Sequence, residues 1–130
     1  MIVITISSCK PARQKGCIMQ TYYDPEDLKK FSSDGVGSAA SDLWPNFMNY
    51  YGSVYKDGAL TSREKHLIAL GVAIDLQCPY CIDAHTQSLV NSGVDADQIM
   101  EVYHTVATLR AGAAMAHGVQ SLAIIEENEL

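Results

Sequence analysis

From residue 19 to the C-terminus no stretch alternates polar and apolar residues with period two, and that absence takes β-strands out of the reckoning. What recurs instead is three- and four-residue spacing between helix start and stop signals. Asp24-Pro25-Glu26-Asp27 supplies an N-cap, a first-turn proline and two acids, so a helix is expected from there to about Asp34-Gly35. Leu43, Phe47, Tyr50, Tyr51 and Val54 predict a second helix over about Ser41 to Tyr55, with Pro45 tolerated in its first turn. Thr61-Ser62-Arg63-Glu64 is a capping box. The helix it opens, ending near Gln77, is apolar on most sides and is expected to be buried. Cys78-Pro79 starts the next, which Asn91-Ser92-Gly93 stops. Asp95 caps a fifth; Ala111-Gly112-Ala113 weakens the pattern; a last helix is expected over about Ala114 to Glu126. The expectation is a single all-α bundle of about six helices.

At 130 residues the chain fits one domain. Residues 1–18 differ from the rest, with three basic residues, a β-branched patch and no helical period. They read as a leader or docking arm, with Met19 a candidate natural start and the domain spanning 19–130. A net charge of -6 and a pI near 5.0 argue against nucleic acid and anionic membrane as partners. No apolar run nears the roughly 20 residues of a membrane span, and the opening apolar patch is too short for a signal peptide. The reading is a cytoplasmic protein, in which a disulfide is transient and catalytic. Hydrophobic residues make up 48% of the chain, enough to expect that a partner subunit covers some of them.

Cys78-Pro79-Tyr80-Cys81, with His85 four residues on, carries the chemistry; Cys9 and Cys17 belong to no motif. With Cys78 as N-cap and Pro79 as first helical residue, both sulfurs sit where free N–H groups and the helix dipole stabilise negative charge. A thiol pKa is expected to fall there, and thiolate is the form that attacks peroxides and disulfides. His85 lies one turn past Cys81 on the same face, in reach to move a proton. His66, twelve residues before Cys78, lies on a helical row (His66, Leu70, Ala73, Gln77) that runs toward the motif.

Plainer readings compete. The cysteines could be core packing, although packing explains neither their spacing nor the proline. Cys78, Cys81 and His85 with His66 or His117 could bind zinc. The dithiol could serve as a redox sensor without turnover. The glutaredoxin-like Cys-Pro-Tyr-Cys is set aside because its approach here is helical rather than a strand. His66 could be a partly exposed helix residue; His104 and His117 fall in the last two helices, and His117 could approach the site across the bundle but reads more readily as a satisfied interior histidine. Trp44, Phe47, Tyr50, Tyr51 and Tyr55 read mainly as a core or interface stripe, with a pocket wall the lesser reading.

LTSREKHLIALGVAIDLQCPYCIDAH, ending at His85, and VNSGVDADQIMEVYHTVATLRAGAAMAHGVQ downstream resemble the carboxymuconolactone decarboxylase and alkylhydroperoxidase D superfamily. The likeness covers about residues 20–126. Its dithiol points to the peroxidase-like branch, since the decarboxylase branch generally lacks it. Gln20 to Phe31 is also similar to a subgroup associated with arsenosugar biosynthesis. The resemblance implies an all-α homo-oligomer (dimer, trimer or hexamer) that uses no metal or organic cofactor. It implies reduction of a small-molecule hydroperoxide, with Cys81 attacking, Cys78 closing the disulfide and an external dithiol or thiol protein reducing it. His85 matches the family's relay histidine. The relay glutamate falls on His66 and the histidine between the cysteines on Tyr80; both are departures.

Overall fold

The computed structural model describes residues 23–128, so the readings on the leader and on Met19 lie outside the described residues. Among these residues there are two 3-10 helices and four α-helices, with no strand. The 3-10 helices are Pro25–Lys30 and Val36–Ala40; the α-helices are α1 (Trp44–Val54), α2 (Ser62–Asp75), α3 (Pro79–Asn91) and α4 (Ala96–Asn128). The all-α expectation holds, but six helices become four. The first expected helix is only a six-residue 3-10 turn, although Asp24 caps it as foreseen by accepting the Glu26 N–H. The second starts three residues late, after the turn at Val36–Ala40. There Gly37 lies against the Trp44 indole, and an added Cβ would come within 2.5 Å of the ring.

The fifth and sixth expected helices are one. Asp95 and Gln98 cap its start reciprocally, at 2.8 and 3.3 Å, and nothing stops it at Ala111-Gly112-Ala113. A lone glycine costs a helix about 1 kcal/mol against alanine, and the alanines around it are the best helix formers. The resulting 33 residues reach about 50 Å.

The junction between α2 and α3 positions the dithiol. The capping box at Thr61 and Glu64 forms and starts α2. At its other end, Cys78 N–H bonds Ala73 C=O at 3.0 Å and Gln77 N–H bonds Ile74 C=O at 3.1 Å. This is a Schellman close, but the left-handed position is held by Gln77 (φ 55°) rather than glycine. Cys78 therefore ends one helix with its backbone and caps the next with its sulfur. The same motif ends α3, with Gly93 at φ 83° and Val94 N–H on Leu89 C=O at 3.0 Å.

α2 packs on both α3 and α4. Between them Leu70, Leu89, Val94 and Ile99 are buried, bordered by Leu67, Ile74, Ile82, Val102 and Tyr103. Arg110 on α4 reaches back to α2, its Nε 2.9 Å from Asp75 Oδ1 and its Nη2 3.1 Å from Asp75 C=O. The expected full burial of α2 is not met. Leu70 and Ala73 are buried, whereas Ile68, Val72 and Leu76, one turn apart, are more than half exposed. Every described residue of α4 from Ala107 onward is exposed, among them Leu109, Met115, Val119, Leu122 and Ile125. A core this small is thin for a chain of this length.

Candidate functional site

Cys78 is the N-cap of α3, Pro79 its first residue and Cys81 its third, the arrangement the spacing predicts. The Cys78 sulfur accepts the Cys81 backbone N–H at 3.3 Å. Both thiols are free and half-buried. The expected lowering of the thiol pKa is not found at Cys81. Burial pushes that thiol up to about 11, the Cys78 side chain adds to the rise, and the backbone hydrogen bond opposes it only in part. The helix end delivers its N–H to the first sulfur, while the second is drawn under the neighbouring helices, and desolvation of the anion outweighs the dipole.

His85 is buried, 8% exposed, one turn below Cys81. Its Nδ1 lies 3.1 Å from Nδ1 of His66 on α2. Its Nε2 lies 3.5 Å from the hydroxyl of Tyr55, which closes α1. The two imidazoles lie 5.3 Å apart, and Tyr55 stacks on His66 at 4.5 Å and 18°. Burial lowers the pKa of both histidines, and for His85 the charge of His66 lowers it further. Both shifts favour the neutral imidazoles, and a hydrogen bond between two neutral rings at these facing nitrogens has one as donor and the other as acceptor. Tyr51 packs on Tyr55 at 4.9 Å. Burial raises both phenols, and the nearby Cys81 sulfur raises them further.

Cys81, His85 and Tyr55 line one open groove of about 640 Å³ with Val54, Leu60, Lys65, Ile68, Val72 and Leu76. The walls are apolar apart from Lys65, whose ammonium donates to Lys56 C=O at 2.6 Å. That size and lining suit a small organic ligand.

Of the residues singled out in the sequence, Cys78, Cys81, His85 and His66 come together. His66 is turned to His85 rather than to Cys78. His104 and His117 do not join them: both are exposed on α4, which removes both the interior reading of His117 and its approach to the site. Among the described residues no three His, Cys, Asp or Glu side chains converge as metal ligands would, and the zinc arrangement finds no such donor set. Tyr80 points out of the groove; its hydroxyl donates to Asp27 Oδ2 at 3.4 Å and its ring meets Tyr23 edge-on at 5.2 Å, tying the Pro25–Lys30 turn to the motif. Tyr55 is the residue the sequence reading missed. It was counted in the aromatic stripe, which does exist as a run of ring contacts through Trp44, Phe47 and Tyr51 to Tyr55. Its place, six residues ahead of the capping box that starts the helix of His66, was the available signal.

Fold and site thus define a helical dithiol protein in which a buried histidine, His85, shares the groove with Cys81 and pairs with a half-buried one, His66. Residues 43–123 match the model of the carboxymuconolactone decarboxylase family, and the chain belongs to that family. It is 46% identical over 74 residues to uncharacterized protein 4 in the cox locus of Paracoccus denitrificans, covering 57% of this chain and 67% of that protein. Its fold is similar to that of a protein from Methanobacterium thermoautotrophicum, with a TM-score of 0.60 and 26% identity over 64% of this chain and 93% of the other. It is equally similar to the apo form of a carboxymuconolactone decarboxylase family protein from Legionella pneumophila, with a TM-score of 0.60 and 26% identity over 79% and 91% of the two chains. No described helix is long and apolar enough to cross a membrane.

Proposed function

We propose that the protein is a dithiol oxidoreductase that reduces organic hydroperoxides. One observation carries this reading: Cys81 and His85 face the same apolar groove, with the Cys78 sulfur at the same helix start. Cys81 attacks the terminal peroxide oxygen, the O–O bond breaks, and the alcohol leaves while Cys81 becomes a sulfenic acid. The Cys78 thiol displaces water from that sulfenic acid and closes the disulfide. An external dithiol then reduces the disulfide by exchange, so that each turnover consumes one peroxide and two electrons. The apolar walls favour a substrate with a hydrocarbon body over hydrogen peroxide.

The active form is a homo-oligomer. Support comes from the outer half of α4, whose apolar residues Leu109, Met115, Val119, Leu122 and Ile125 the single chain leaves open.

The test is steady-state consumption of cumene hydroperoxide by purified protein with several dithiol donors. Turnover that Cys81→Ser abolishes, with one Cys78–Cys81 disulfide found by mass spectrometry, is the expected result. A Cys81→Ser variant as fast as wild type would refute it. One round of oxidation without turnover, whichever donor is supplied, would make the dithiol a sensor. Decarboxylation of a muconolactone that survives Cys81→Ser would place the chemistry with the reaction in the family's name instead.

A further inference from the structure

Peroxide attack by a thiol that rests protonated requires a route for its proton, and His85 does not offer a direct one. Its two ring nitrogens meet His66 and the Tyr55 hydroxyl, not the sulfur one turn above. We infer that Tyr55 relays the Cys81 proton to His85 Nε2, and that His66 is the positioning residue that sets the His85 tautomer for it. The inference rests on the peroxidase reading of the site.

Tyr55 is built for such a post. It closes α1, where the helix no longer fixes its direction, and three rings fix it instead. It stacks on His66 at 4.5 Å, tilts on His85 at 5.4 Å and packs on Tyr51 at 4.9 Å. Its ring forms part of the groove wall beside Cys81.

The histidine pair has two neutral arrangements, since one proton lies between the facing Nδ1 atoms. If His66 donates, the His85 proton is on Nε2 and that atom accepts nothing. If His85 donates from Nδ1, Nε2 carries a lone pair aimed at the Tyr55 O–H. Only the second makes His85 a base. As the S–H bond breaks, the phenol oxygen takes that proton while its own passes to Nε2. The electron pair stays on sulfur and attacks the terminal peroxide oxygen. The departing alkoxide recovers a proton from Nε2 through the same hydroxyl, leaving sulfenic acid, alcohol and a neutral histidine. The transient imidazolium keeps its Nδ1–H on His66. Around His85 the titratable groups are His66 and Lys65 from α2, Tyr51 and Tyr55 from α1, and Cys78 and Cys81 from its own helix.

The experiment uses reduced full-length protein and single-turnover oxidation by cumene hydroperoxide. Tyr55→Phe keeps the ring stack and removes only the O–H. Its rate should fall on the order of 100-fold, the lower end of general-base assistance, and its pH profile should lose the histidine inflection. His66→Leu should slow the reaction about tenfold, and His66→Gln, whose amide oxygen can accept the Nδ1–H, should restore most of it. Wild-type rate and profile in Tyr55→Phe would overturn the relay. Should that variant not fold, equal rates for His66→Leu and His66→Gln would overturn it. If wild type consumes no hydroperoxide, the peroxidase reading fails separately. The pH profile of Cys81 alkylation then decides: a histidine inflection lost in Tyr55→Phe upholds the relay, and an unchanged profile overturns it.

Discussion

Reduced protein treated with iodoacetamide should lose its Cys81 thiol slowly. Folding lifts this thiol from 9.0 to about 11, which at pH 7.5 cuts the thiolate fraction roughly 100-fold against an unstructured cysteine. A more basic sulfur is a better nucleophile, and a Brønsted coefficient of about 0.4–0.5 returns roughly eightfold over two units. Alkylation of Cys81 is therefore expected to be about tenfold slower in the folded chain than in urea. Restricted access would slow the reaction equally at every pH, so the diagnostic is where the rate rises. Peptide-resolved mass spectrometry of timed alkylation between pH 6 and 11 reads both quantities. The Cys81 rate should still be climbing at pH 10. A plateau below pH 8.5 would show that the helix terminus overcomes burial. The argument that this sulfur needs a proton relay would fall with it.

Three further outcomes are expected. Leu89→Ala empties a fully buried position in a core of few residues and should cost about 2–5 kcal/mol, read as a drop in urea midpoint; a loss below 1 kcal/mol would mean the core collapses around the gap. Gln77→Gly relieves a side chain held at φ 55° and should gain about 0.5–1 kcal/mol in thermal unfolding; a loss would point to an unseen role for the glutamine. His66 and His85 titrate below their ordinary value in the folded chain, so the unfolded chain binds more protons just below pH 6.5 and stability is lost as pH falls through that window. The urea midpoint should drop between pH 7.5 and 5 and do so less in His85→Gln; a midpoint that rises on acidification would contradict the lowered pKa of the two histidines.

Local signals were legible because local atoms satisfy them. The Thr61–Glu64 box, the Asp24 cap and the Cys78 cap each close hydrogen bonds within a few residues, so residue type at fixed spacing predicts them. What escaped depends on neighbours distant in sequence. The Cys81 thiol is raised by burial, which its own helix does not encode. Tyr55 gains its meaning from His85, thirty residues on. The continuity of α4 through Gly112 was misread because a weak helix former was taken for a stop, when no capping residue or proline accompanied it. His117 was placed inside because the helix bearing it was imagined folded back onto the bundle.

The outer half of α4 has a thermodynamic consequence. A protomer that leaves about six helical turns of partly apolar lever in water, on so thin a core, has little of its own stability to spare. If sister chains sheath that lever, the melting temperature becomes a function of how much protein is in the tube, rising with each decade of concentration by mass action. Dilution would then act on this protein as a mild denaturant, and the groove beside Cys81 would loosen along with it.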